Sequence, residues 1–175
     1  MRRALAVAGV ALLAVLAGYW FFVRDESVAP TVRPLALAAT IGSGEDAVVV
    51  DAQGRVLTWL EPPEELELPA LPLDEPPQGG RVKGPVLAQV KVLGAVPPEL
   101  RPYVTATRYG ESGVDVELDS GIELRFGDAS QAARKWKAAA AVLANPSIEA
   151  LDYVNVHSPA HPTVGGEGHL LPPLP

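Results

Sequence analysis

The sequence predicts an α+β protein: a single N-terminal transmembrane helix followed by a small, mostly antiparallel β-sheet domain with packed helices. Three observations carry that expectation. Residues 4–23 form one apolar run of membrane length. Around Val48–Leu57 and Val114–Phe126, apolar runs flank turn residues in the manner of hairpins. Between Asp128 and Ala144 the apolar residues instead recur at helical spacing.

The apolar run comes first. At about 1.5 Å per residue, about 20 residues span roughly 30 Å, the thickness of a bilayer's hydrocarbon core. Arg2 and Arg3 precede it, whereas Arg24, Asp25 and Glu26 follow with no positive excess. Residues 1–3 are therefore expected to be a cytoplasmic tail and the long C-terminal part extracytoplasmic. Tyr19, Trp20, Phe21 and Phe22 cluster at the outer end, where amphipathic rings favour the headgroup zone. The alternative is a cleaved signal peptide, with Val15 and Ala17 at the small-residue positions. Cleavage after Ala17 would leave the apolar stretch Gly18–Val23 as an exposed terminus prone to aggregation, so a retained anchor is preferred.

Composition bounds the rest. About 150 residues outside the anchor suffice for one domain with its own core. The absence of cysteine excludes a disulfide scaffold and thiolate chemistry, and suits an extracytoplasmic domain that folds on packing alone. A net charge of −7 supplies no basic stripe to displace counterions from phosphate, so no nucleic-acid partner is expected. No cofactor or small-molecule substrate is expected either.

Residues 24–46 read as a linker broken by Pro30, Pro34, Gly42 and Gly44, with Leu35–Ile41 as a lone strand. The expected domain covers residues 47–164 and opens with a Val48–Leu57 hairpin turning through Asp51 to Gly54. Leu66, Leu68, Leu71 and Leu73 form an edge strand or extended strap, since Pro69 and Pro72 bar a central place. A short helix follows from Pro85 to about Val96, ended by Pro97 and Pro98. Tyr103–Tyr109 adds a strand beside the next hairpin.

In that hairpin, a three-residue loop Asp119–Gly121 with Gly121 left-handed pairs Leu118 with Ile122, Val116 with Leu124 and Val114 with Phe126. One face is then wholly apolar. A two-residue turn would mix polar and apolar residues on that face. Asp128 is expected to cap the following helix, with Gln131 completing a partial capping box. Ala132, Trp136, Ala139, Ala140 and Leu143 share its apolar face, with Lys135 mostly elsewhere. Ile148–Val156 is the final strand, and residues 165–175 are expected to be a disordered, Pro-rich tail.

Chemical motifs are sparse. No G-x-S-x-G elbow, P-loop or dinucleotide fingerprint occurs. Asp115, Glu117 and Asp119 alternate along a strand, where same-face neighbours stand about 6.8 Å apart, too far to share one Ca²⁺. A solvated strand face is the better reading. His157 and His161 are four apart, but Pro159 and Pro162 preclude the helix that would join them on a metal. Trp59 and Trp136 are read as core residues rather than ligand platforms. No catalytic or metal-ligating set is expected.

Several elements, in this order, resemble the extracytoplasmic β-domain of the FtsQ/DivIB cell-division family. The similarity runs through Val48–Leu57 (VVVDAQGRVL), Leu68–Leu71, Ala95–Val104 (AVPPELRPYV) and Asp119–Ser130 (DSGIELRFGDAS). It continues through the Lys135-bearing helix and the Leu151–Asp152 strand leading to Pro162, covering roughly residues 33–166. One departure is large: the family places a small POTRA domain between anchor and β-domain, and here residues 24–46, too few for that fold, hold a remnant at most. The family implies that POTRA's contribution includes recruitment to the divisome.

The resemblance implies a non-enzymatic adaptor at the septum that links FtsB/DivIC and FtsL to septal wall synthesis, held in the cell membrane by residues 4–23. The residues offer a compatible mechanism. If Leu151–Val156 lies at the sheet edge, an extended partner segment can add a strand to it. Asp152, Tyr153, Val154, Asn155, Val156 and His157 are then the candidate contact residues. Tyr153, Asn155 and His157 face one side, and Asp152, Val154 and Val156 the other. The competing placement has this strand paired on both sides inside the sheet. Two other functions stay open: an anchored surface-binding module unrelated to division, and a secreted or anchored hydrolase with a polar cleft.

Overall fold

The computed structural model describes residues 35–42, 44–63, 66 and 68–173. The expected cytoplasmic tail, membrane helix and first part of the linker lie outside the described residues. Among the described residues no helix is long and apolar enough to cross a membrane.

Two sheets share one hydrophobic core. The smaller is antiparallel and three-stranded, in the order β1 (Leu37–Ile41), β2 (Val48–Asp51), β3 (Val56–Leu57). The expected 48–57 hairpin is β2–β3, and Asp51 explains its turn. One of its carboxylate oxygens accepts from the backbone N–H of Gln53 (2.9 Å) and Arg55 (2.8 Å), and the other from Arg55 Nε (2.6 Å). Leu35–Ile41 is not a lone strand in a linker. Ala38, Ala39 and Ile41 are buried, so β1 pairs with β2 and belongs to the domain. The Pro-rich stretch after β3 is an extended strap, as expected: Thr40 donates to Pro69 O (3.0 Å) and Leu71 to Thr40 O (2.7 Å).

Helix α1 (Gly84–Leu93) carries Pro85 in its first turn and stops before Gly94. A five-stranded sheet follows, in the order β4 (Val104–Gly110), β5 (Gly113–Leu118), β6 (Glu123–Gly127), β7 (Ala150–Asn155), β8 (Thr163–Leu170). Helix α2 (Ala132–Leu143) makes the crossover that sets β7 parallel to β6; the other neighbours are antiparallel. α1 packs on β1, β4 and β5, and α2 on β6 and β7. Trp136 is the hinge of this layer. Its ring stacks at a tilt on Phe126 (4.8 Å between centroids), and its indole N–H donates to Val92 O at the end of α1 (2.8 Å). Trp59, by contrast, is 74% exposed and is not a core residue.

The β5–β6 hairpin follows the expected register through most of its length. Leu118 N donates to Ile122 O (3.0 Å), Val116 faces Leu124, and Gly121 is left-handed at φ +88°. Higher up an extra residue in β6 shifts the pairing, so Val114 faces Gly127 rather than Phe126. Phe126 nonetheless stays fully buried.

The C-terminal segment corrects the expected disordered tail. Residues 163–170 form β8, and beyond it Leu171 N donates to Glu149 O (3.3 Å), Pro172 is buried, and Tyr103 Oη donates to Pro173 O (2.7 Å). Thr163–Leu170 shows no apolar alternation because its glycines admit close neighbours instead of contributing side chains to the core.

Candidate partner-binding site

β7, the strand expected to offer a free edge, has none. It is hydrogen-bonded to β6 on one side and to β8 on the other. The competing placement is the observed one, and among the described residues the sheet's outer strands are β4 and β8.

The six residues singled out, Asp152–Asn155 on β7 with Val156 and His157 just beyond it, have separate tasks. Val154 and Val156 are fully buried beneath α2's layer. Asn155 Oδ1 accepts from His157 N (3.0 Å), closing the turn after the strand. His157 is exposed, and its ring occupies the space that a side chain on Gly127 would need. Tyr153 lies on the opposite, open face, between the Arg125 guanidinium (3.9 Å to the ring centroid) and Gly165 of β8, where any side chain would collide with the ring. Asp152 stitches β8 to β7. Opposite it β8 bulges through Gly166–Gly168, Asp152 Oδ1 accepts from Gly168 N (2.9 Å), and Gly166 sits at φ +79° with its α-carbon against the carboxylate. The strand's contribution is thus to build and hold its neighbour.

Backbone alternation tells which groups of β8 point away from β7. Val156 N donates to Arg125 O across the parallel pair (2.9 Å), so Val154 also points its N–H and C=O at β6. Tyr153 and Asn155 then point theirs at β8, onto Gly165 and Thr163. Val164, between them, directs both of its backbone groups outward. Its side chain is 41% exposed and borders an open groove of about 520 Å³ lined also by Ile148, Glu149, Ala150, Leu151 and Glu167. No charged residue lies between Thr163 and Gly166. β4 differs: it carries exposed Arg108 and Tyr109 and a bulge near its base, features that discourage strand addition.

The sheet face away from the helices is polar. In register across it stand Arg108, Asp115, Arg125 and Asn155. Both arginines donate to Glu123, from Arg108 Nη2 (2.5 Å) and Arg125 Nε (2.6 Å), rather than to Asp115 between them. Partial burial raises the Asp115 carboxyl above its ordinary value and the Glu123 charge adds to this, while Arg108, Arg125 and His157 pull it down. Asp115 and Glu117 lie on this solvated face as expected. Among the described residues no three His, Asp or Glu side chains gather as a metal site.

Two features escaped sequence reading. Lys135 is buried, not on the polar face of α2: Nζ donates to Phe126 O (3.0 Å), Asp128 O (2.9 Å) and Asp128 Oδ1 (2.8 Å). Asp128 accordingly does not cap α2. It accepts from Lys135 and from Ser130 N and Oγ, while Gln131, at φ +53°, stands at the N-cap position with its side chain accepting from Arg134 Nη1 (2.9 Å) rather than from a backbone N–H of the helix. The hydrogen bond from Lys135, then those from Ser130, lower the Asp128 carboxyl to about 2.

The five-stranded sheet thus has helices on one face, a solvated polar face opposite and an outer strand, β8, that among the described residues pairs on one side only, a form open to strand addition. The chain belongs to the FtsQ/DivIB family of cell-division proteins: the family model for the C-terminal region of cell division protein FtsQ/DivIB matches residues 39–156, more than half of the chain. The match ends at the close of β7, so β8 lies beyond it. A search of the curated proteins found no match, and a search of the solved structures found none. Membership implies a role in cell division within a non-enzymatic family whose members interact with other divisome proteins.

Proposed function

We propose that this protein is a non-enzymatic adaptor of the bacterial divisome, linking FtsB/DivIC- and FtsL-type coiled-coil proteins to septal wall synthesis. Residues 4–23 anchor it in the cell membrane with the amino terminus in the cytoplasm, and the sheet domain works outside, at the division septum. The observation that carries this reading is the outer edge of β8 at Val164, which no other strand pairs among the described residues. An extended partner segment adds there as a further strand by hydrogen bonding to that residue's outward N–H and C=O. The groove beside Val164 gives the added strand's side chains a half-apolar seat, and β7 supports the edge through Asp152 and Tyr153.

The test uses the tagged full-length protein in dividing cells, imaged and then captured with its partners. Enrichment at midcell and recovery of a small coiled-coil division protein are expected. A uniform membrane distribution with no such protein recovered overturns the proposal.

A further inference from the structure

β8 is weakly built as a strand. Three of its eight residues are glycine, and seven are exposed or nearly so, with Gly165 alone half-buried under Tyr153. Glycine loses more conformational freedom on ordering than any other residue, so such a segment holds its place only if other contacts fix it. Asp152 and Tyr153 fix its upper half. The lower half is fixed from an unexpected direction, the opposite edge of the sheet. Past the bulge, His169 lies over the β5–β6 loop, filling the space that a side chain on Gly121 would need. The chain then bonds to Glu149 O through Leu171 N, buries Pro172, and ends its described path at Pro173, whose carbonyl accepts from Tyr103 Oη at the foot of β4. Tyr103 is itself tied to that loop, because Asp119 N donates to Tyr103 O (2.8 Å).

We infer that residues 169–173 are a latch that runs across the foot of the sheet and holds β8 in register from the β4 side. Tyr103 is its catch. The latch makes β8 a preformed edge rather than a fraying one, and a bound strand then meets a surface already ordered. Its consequence for partner capture rests on the adaptor reading; the latch itself does not.

Amide hydrogen exchange on the full-length chain tests it, comparing the wild type with Tyr103→Phe and with a chain ended after Leu170. Removing the hydroxyl deletes one hydrogen bond and no packing. Exchange of the β8 amides that donate to β7 is expected to rise severalfold, up to about tenfold, in Tyr103→Phe and further in the shortened chain. The core amides of β5 and β6 are expected to keep wild-type rates. Unchanged β8 exchange in both variants overturns the latch, and so does an equal rise in β8 and the core, which marks general destabilisation. No partner is needed for this readout, so a failed latch and a failed adaptor reading are told apart: partner binding that is absent in the wild type as well sinks only the latter.

Discussion

The ammonium of Lys135, 2% exposed as a residue, ends on the carboxylate of Asp128, whose side chain is 73% exposed. One end of the pair is in the core and the other in water. Lys135 thereby donates a hydrogen bond to Phe126 O at the β6 end and another to Asp128 O, and so ties the start of the α2 crossover to the strand it leaves. Lys135→Met leaves both carbonyls without that donor and is expected to cost about 2–4 kcal/mol, read as a lower urea midpoint at unchanged slope. The Asp128 side of the pair is pH-dependent: its contribution is complete above the ordinary 3.8 and is lost as pH falls toward 2.

Trp136→Phe keeps an aromatic ring against Phe126 but withdraws the N–H from Val92 O. A buried carbonyl is left without that partner and part of the indole volume is lost. The expected cost is about 2–3 kcal/mol by chemical denaturation. A loss below about 0.5 kcal/mol would show that the link between α1 and α2 carries little of the fold's stability.

Asp115→Asn is expected to stabilise the domain at neutral pH. Burial and the Glu123 charge raise its carboxyl, so the ionised form works against folding at pH 7. With a raised folded-state value, that penalty is present at neutral pH and is relieved as pH falls through the folded value toward the ordinary 3.8. The melting temperature of the variant should exceed wild type at pH 7, and the gap should close in acid. A gap that widens in acid would contradict the assignment.

Val164→Pro separates fold from docking. Proline is tolerated on an edge strand where the lost N–H faces outward, so the melting temperature is expected to stay within about 2 °C of wild type. Strand addition needs that N–H, and partner affinity is expected to drop at least about tenfold in a binding titration with the full-length protein. Wild-type affinity in a folded variant would remove β8 from the interface.

The parts of this fold that were legible in the sequence are those where side chains enforce the backbone. The Asp119–Gly121 loop was readable because only that length places Val116, Leu118, Ile122 and Leu124 on one face, and Gly121 can take the required φ. Where backbone and tertiary position decide, hydropathy misleads. Lys135 was assigned to solvent because a helical wheel cannot know that three oxygens converge on it from the preceding strand and turn. β8 was missed because Gly165, Gly166 and Gly168 are there to make room for Tyr153 and Asp152, which leaves no alternation to read. The sheet's edge is expected one strand too early for the same reason: with β8 unseen, β7 looks like the end of the sheet.

The single parallel pairing, β6 to β7, sets an order of assembly. β4, β5 and β6 are joined by short turns and can zip together from local contacts, whereas β7 needs the α2 crossover docked before it can pair. β8 can only add after β7. β8, the outer strand on that side, is therefore expected to be the last piece of this sheet to order during folding. A chain in which β7 has not yet paired therefore has no ordered β8 edge for another strand to meet.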